Sequence, residues 1–443
     1  MSRLRSRIFG AVSIAALALM AMGAVPVQAG SSGGVLMVDD DGQATAANCG
    51  ASGPASNAAY STIQSAIVAS HSGDTILVCP GNYTENLVIR QNRDDLSLRS
   101  VKPFKAHIWR PVGLDGDIPL VHIKPGADGV SFVHFSLIFP TTDACDAASA
   151  AAILIEGTNA SIRGNRIRSD GDDDFYTCGY ANGIVVTANH TPCCTTTSGS
   201  TPADSSAPAS ALVGWNIVRD FQESGVIIGA DTQGRVTRNS IHFGHLDSEC
   251  SSSTSTASPF RPAGPGICAG FGIQYKDGAR GTVDGNFVVS DAAYRRATST
   301  AGITSNAILA VGIEVDGYSS GDVKVVHNFV ALSFTGIVLF FTAGTIVEEN
   351  FVVEIAGDGI LVIEGFASKI RRNEVHQAAI VTGAGIHATD GTQDNVFRGN
   401  VATNNFYDCE DDTDASAANV DNTWVNNTGN NNIPTGLCTP EAP

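Results

Sequence analysis

The feature that most narrows the fold is a short pattern that comes round three times between Phe334 and Val401. It reads Gly336-Ile337-Val338-Leu339, followed by Val347, Asn350 and Val352. It returns as Gly359-Ile360-Leu361-Val362, with Ile370, Asn373 and Val375, and again as Gly385-Ile386-His387-Ala388, with Phe397, Asn400 and Ala402. Glycine leads asparagine by 14, 14 and 15 residues, and the asparagines lie 23 and 27 apart. A unit this short cannot bury an apolar face without a stacked neighbour, so the pattern demands a solenoid.

The same template runs backwards through the chain. Gly225 precedes Asn239 and Gly272 precedes Asn286 by 14 residues each, while Gly312 precedes Asn328 by 16. Ala151 stands 14 residues before Asn165, and a long insertion separates Gly183 from Asn216. Three residues before the asparagines come Ile162, Val213, Val236, Val283, Val325, Val347, Ile370 and Phe397. Two residues after them come Ile167, Val218, Ile241, Val288, Val330, Val352, Val375 and Ala402. Both columns are apolar throughout, which a mere bias toward glycine and asparagine does not produce. The pattern predicts three short strands per repeat, the Gly-Ile strand alternating inward and outward. Asparagine is expected at a tight turn, tolerating left-handed backbone there and bonding to its stacked counterparts along the axis. The predicted fold class is all-β, a single-stranded right-handed parallel β-helix, right-handed because parallel crossovers take that sense.

On these residues the chain resembles the right-handed parallel β-helix families of the pectin-lyase-like superfamily, over roughly residues 60–405. That group includes pectate lyases, polygalacturonases and alginate epimerases. The resemblance implies a fold and, in the enzymes, a glycan cleft along one sheet; one such scaffold hosts many activities. The Arg-x-Pro-x-x-Arg signature of pectate lyases and the Tyr-Gly-Phe-Asp-Pro-His signature of the epimerases are absent. Of the polygalacturonase motifs the chain offers only Asp170-Gly171-Asp172-Asp173-Asp174 and Gly244-His245-Leu246, with the wrong spacing and partners. No enzyme family's catalytic set transfers to this sequence.

Met1–Ala29 carries Arg3, Arg5 and Arg7, an apolar run from Ile8 to Met22, and Val27-Gln28-Ala29 as a small-residue cleavage site. This reads as a secretory signal peptide, and no later stretch is apolar and long enough to span a membrane, so a secreted or periplasmic protein without membrane insertion is expected. Removing those three arginines takes the formal charge from −18 to −21, with 23 basic and 44 acidic residues. So acidic a body argues against nucleic acid as a partner, and against a polyanionic glycan unless a cation such as Ca²⁺ bridges the two.

Ten cysteines in an exported chain suggest disulfides. Pairing neighbours joins Cys49 to Cys79, Cys145 to Cys178, Cys250 to Cys268 and Cys409 to Cys438. It leaves the adjacent Cys193 and Cys194, whose vicinal bond is strained, so a crossed pairing stays open. Residues 30–59 form a Gly/Ala/Ser-rich N-terminal segment with the acidic run Asp39-Asp40-Asp41. Ser61-x-x-Gln64 reads as a capping box opening a short helix, with Ile63, Ala66 and Ile67 on one face, that plugs the first coil. Phe406–Pro443, with Trp424, is expected as a C-terminal cap that folds back over the last coils or closes their end.

The candidate site follows from alternation. With the isoleucine after each glycine inward, the outward side chains are Gln274 and Lys276, Glu314 and Asp316, Val338 and Phe340, Leu361 and Ile363, then His387 and Thr389. Insertions at residues 140–150, 168–182, 188–210, 243–270 and 290–310 border this sheet, as binding loops on a rigid scaffold do. Lys276, Asp277, Glu314 and Asp316 are the candidate catalytic residues, with Gln274 and His387 as candidate substrate contacts. Two carboxylates and a lysine on neighbouring coils suit Ca²⁺ and a base for β-elimination; two carboxylates alone suit retaining or inverting glycoside hydrolysis. The competing reading is a solvated salt-bridge ladder, and with it an exported binding or surface protein that catalyses nothing. Under the first reading the expected partner is an extracellular polysaccharide; the second names none.

Overall fold

The computed structural model describes residues 33–41, 49, 59–111, 118–139, 151–169, 182–188, 209–219, 221, 224–229, 232–242, 270–276, 278–290, 310–317, 322–378, 383–389, 391–413 and 422–440. The chain separates into two units, Met1–Gly33 and Gly34–Pro443. The expected signal peptide lies outside the described residues, as do Asp277 and Cys145, Cys178, Cys193, Cys194, Cys250 and Cys268. Among the described residues no helix is long and apolar enough to cross a membrane.

Gly34–Pro443 winds into a parallel β-helix. Among the described residues its strands fall into three sheets of 13, 12 and 11 strands, and each pairs with the one three places on in sequence. The exceptions are Val35–Val38, which pairs with the next strand, Thr75–Val78, and Tyr407–Asp411, which pairs with the second one on, Asn432–Ile433. The first sheet holds the strands before the asparagine turn, the second the Gly-Ile strands, and the third the strands after the turn. Register places the repeats in columns. Ile337 pairs with Ile360 and Ile360 with Ile386; Val347 with Ile370 and Ile370 with Phe397; Val352 with Val375 and Val375 with Ala402. All of these side chains are fully buried, and burying each isoleucine or valine contributes roughly 1.5–3 kcal/mol.

The leading glycine and the apolar residue after asparagine are two halves of one packing contact. A Cβ built on Gly336 would sit 2.6 Å from Val352 Cγ1, and one on Gly359 would sit 2.3 Å from Val375 Cγ1. Both partners belong to the same repeat, so the strand reaches the interior at that corner only without a side chain. In the repeat of Asn165, register sets Ala151 beside Asn182 and Ile153 beside Ile184, so Ala152 rather than Ala151 takes the glycine's place.

The asparagines form a continuous buried ladder. The Asn350 backbone N–H and Nδ2 both donate to Asn373 Oδ1, at 3.0 and 2.9 Å. Asn373 donates in the same way to Asn400, and Asn400 to Asn427. The remaining Nδ2 hydrogen reaches back one coil, from Asn350 to the Val325 carbonyl at 2.9 Å. Each amide thus satisfies backbone groups that the corner removes from the sheets. The left-handed residue at this corner is not asparagine but the one before it: Trp215, Arg238, His327, Glu349 and Arg372 have φ between 53° and 55°. Asparagine must aim its amide inward, so the preceding residue takes the turn and keeps its own side chain outside.

At the N-terminal end the helix Ile63–Ala69 buries Ile63, Ala66 and Ile67. Its N-cap is Thr62, whose Oγ1 accepts from Ser65 N, and not Ser61. The expected partner Gln64 is engaged elsewhere: its side chain accepts from Val88 N at 2.8 Å and donates to Val88 O at 3.2 Å, as a neighbouring strand would. Glu85 accepts from the N–H groups of Ile63 and Gln64, both at 2.8 Å.

At the other end, Phe406–Pro443 adds further strands to the same sheets. Tyr407–Asp411 pairs with Ala384–Ala388, Thr423–Val425 with Val396–Arg398, and Asn432–Ile433 with Tyr407–Asp411. Trp424 stacks on Phe397 at 4.1 Å, extending the interior column. Disulfides join Cys49 to Cys79 and Cys409 to Cys438, the two expected pairings that fall within the described residues.

Candidate functional site

The candidate site residues lie on the outer face of the Gly-Ile sheet. Register along it sets Gln274 beside Glu314, Glu314 beside Val338, Leu361 beside His387, and His387 beside Glu410. Two residues along, Asp316 lies beside Phe340. The inward neighbours are fixed by packing: Tyr275 is fully buried, and its hydroxyl donates to Gly234 O at 2.8 Å.

The structure brings together Gln274, Lys276, Glu314 and Asp316. Glu314 is only 5% exposed and Gln274 8%, so these two depart from a solvated ladder, while Lys276 and Asp316 stay partly exposed. Gln274 Nε2 donates to Glu314 Oε2 at 2.5 Å. Burial, followed by the charge of Asp316, pushes the Glu314 carboxyl up to about 8, against the opposing pull of the Gln274 hydrogen bond and Lys276. Glu314 is therefore largely protonated at neutral pH, next to a second carboxyl and an ammonium group. Such a pairing separates acid and base roles between chemically similar groups.

Beyond it the face turns apolar. Val311, Val338, Phe340 and Leu361 form a buried cluster against which Phe271, Phe341 and Ile363 pack. The outward apolar residues expected from alternation thus form one patch, and it is not bare.

His387 does not join the Glu314 group. Three coils separate them along the register, roughly 14 Å at the usual strand spacing. It sits instead beside Asp358 and two members, Glu410 and Asp412, of the acidic run that follows Tyr407 in the sequence. Nδ1 faces Asp358 Oδ1 and Nε2 faces Asp412 Oδ2, each at 3.1 Å. Burial disfavours charge on the ring, but the Asp358 hydrogen bond and the fields of Asp358 and Glu410 outweigh it and raise the imidazole to about 9. Glu410 is itself raised, chiefly by burial, against the pull of His387. The ligand atoms of His387, Glu410 and Asp412 lie within 4.8 Å of one another, as do those of Asp39, Asp40 and Asp41 near the N-terminus. Alternation along Tyr407-Asp408-Cys409-Glu410 is the signal for Glu410, but that strand has no leading glycine. A further pair on the same face, His122 with Glu156, is buried and hydrogen-bonded at 2.8 Å.

A family model described as a right handed beta helix region matches residues 287–433. Among solved structures, the periplasmic alginate epimerase AlgG is 12% identical over 84% of this chain and 74% of its own, with a TM-score of 0.47. The A-module of the Azotobacter vinelandii mannuronan C-5 epimerase AlgE4 is 11% identical over 84% of this chain and 89% of its own, at 0.45. The Dettilon tailspike protein is 13% identical over 88% of this chain and 68% of its own, at 0.49. No curated protein sequence matches the chain. The fold is a right-handed parallel β-helix, the architecture that the resemblance to the pectin-lyase-like superfamily implied.

Proposed function

We propose that the protein is exported, binds a polysaccharide along the outer face of the Gly-Ile sheet, and acts on it at the Glu314 cluster. The observation that carries this reading is the buried Glu314 carboxyl, held protonated near neutrality beside Asp316 and Lys276. A carboxyl raised into this range is matched to donating a proton to a glycosidic oxygen, with Asp316 as the ionised partner. In β-elimination from a uronic acid, Asp316 takes the base's role, while the Lys276 ammonium and the Glu314 acid neutralise the developing charge. Two disulfides suit an oxidising compartment. The strongly acidic chain favours neutral glycans, or anionic ones bridged by Ca²⁺.

A second reading, binding without catalysis, is favoured by the burial of the same group: at 5% exposure, Glu314 meets substrate only if the face opens. A panel of neutral, uronic and amino polysaccharides, incubated with and without Ca²⁺ and assayed for reducing ends and for unsaturated products, separates the two. Catalysis predicts product from one class and its loss in Glu314→Gln with binding retained. Product formation undiminished in Glu314→Gln removes the catalytic reading. Failure of every polysaccharide to bind removes both.

A further inference from the structure

The cluster around His387 is built from three successive coils. Asp358 comes from the turn before the strand Ile360–Ile363, His387 from Ala384–Ala388, and Glu410 and Asp412 from Tyr407–Asp411 and the residue after it. Asp358 Oδ1 also accepts from Ala384 N at 2.7 Å, which pins the carboxylate against the histidine strand. With Nδ1 held by Asp358, the ring aims Nε2 toward Asp412 and Glu410. Three carboxylates therefore surround one imidazole, and among the described residues no lysine or arginine forms an ion pair with any of them. Even with the ring protonated the group carries a formal excess of negative charge.

This is the arrangement in which a metal-ligating histidine is oriented: a carboxylate on one ring nitrogen fixes the tautomer and leaves the other nitrogen facing further donors. We propose that His387 Nε2, Glu410 and Asp412 form a binding site for a divalent transition-metal ion, with Asp358 as the positioning residue behind the ring. The ion takes the place of the proton shared between Nε2 and Asp412, and that proton leaves to solvent. One nitrogen and two carboxylate donors suit Zn²⁺, Mn²⁺ or Co²⁺ rather than Ca²⁺ or Mg²⁺, which prefer oxygen alone. A ligand sphere of about 2.0–2.2 Å draws the donors closer than their present spread, and the half-exposed Asp412 has the freedom to move. Three protein donors leave coordination positions open to water or to a substrate oxygen. Because the donors come from adjacent coils, an ion here ties the Cys409 strand to the coil before it.

Titration of the full secreted chain with Zn²⁺ and with Co²⁺ by calorimetry tests the site, with Ca²⁺ as comparison and the Co²⁺ visible spectrum as a second readout. The expected result is one equivalent bound, a spectrum with nitrogen and oxygen ligation, and a rise in Tm that grows with metal concentration. Asp412→Asn and His387→Gln, each checked for native circular dichroism, are expected to weaken Zn²⁺ binding at least tenfold. Asp40→Asn, in the other acidic group, is expected to leave it unchanged. Absence of Zn²⁺ and Co²⁺ binding, tighter binding of Ca²⁺ than of Zn²⁺, or Zn²⁺ binding that survives both His387→Gln and Asp412→Asn overturns the proposal.

Discussion

Two polar clusters share one sheet face, and they dispose of surplus negative charge in opposite ways. Around Glu314 the surplus is removed by a proton: the carboxyl is buried, and the field of Asp316 adds to the cost of ionising it. Around His387 it is only partly offset, by an imidazolium with a carboxylate on each nitrogen, and Asp412 stays half exposed. The first arrangement suits the proposed proton transfer, the second the proposed cation. Burial decides between them, since the residue types are nearly the same.

The comparison breaks most visibly at Glu314. Glutamate in the unfolded chain titrates near 4.5 and in the fold near 8. A raised acid favours the folded state at low pH, so its penalty is absent below 4.5, grows between 4.5 and 8, and is constant above. Glu314→Gln is therefore expected to raise stability above pH 8 by on the order of 3–5 kcal/mol while lowering any glycan-cleaving rate by about 10²–10⁴-fold. Denaturant melts at pH 5 and pH 9 check the first half, and a loss of stability at pH 9 contradicts the assignment.

His387→Gln should act in the opposite direction. It leaves Asp358, Glu410 and Asp412 without a counter-charge, and a cost of about 1–3 kcal/mol is expected at neutral pH. The wild-type contribution is full below the unfolded histidine value of 6.5 and is lost as pH rises through about 9. Metal-free thermal melts across that window show whether the difference between variant and wild type vanishes on the alkaline side.

The two clusters are expected to be independent, because Val338 and Leu361 stand between them in the register. The double variant Glu314→Gln/His387→Gln should match the sum of the single effects to within about 0.5 kcal/mol. A larger discrepancy would show that the intervening apolar strip couples them.

The smallest effect belongs to His327, which repeats the His387 arrangement in the open. Its ring lies between Asp284 and Glu349 at 3.0 and 2.9 Å, but the side chain is 57% exposed. The Asp284 hydrogen bond leads in raising its pKa. Solvent screening limits His327→Gln to a few tenths of a kcal/mol, further reduced by salt. A loss as large as that at His387 would mean that exposure is not what separates the two sites.

Much of this was legible in residue spacing. The Gly-Ile lead, the apolar columns and the asparagines placed Gln274, Lys276, Glu314 and Asp316 on one face because each coil repeats the same geometry, so position in the pattern dictates which side a residue takes. Neighbouring cysteines, in a sequence read as exported, pointed to Cys49–Cys79 and Cys409–Cys438. The helix cap was misread by one residue because Gln64 bonds to Val88, a partner 24 residues away that no local motif contains. His387 was placed on the right face, but its meeting with Asp358, Glu410 and Asp412 was not read from the sequence. There Glu410 and Asp412 stand only as part of an acidic run, Asp408 to Asp414, that suits calcium or a solvated loop. Those two lie on a coil whose strand lacks the glycine that marks the others.

The sequence by itself thus determined the winding, its columns and the outward residues, since those depend only on each side chain's phase within a repeat. Tertiary structure decided the charge states. Whether Glu314 holds a proton and whether His387 carries one depend on depth of burial and on carboxylates from other coils. Those energies arise from distance and solvent access, which phase does not encode.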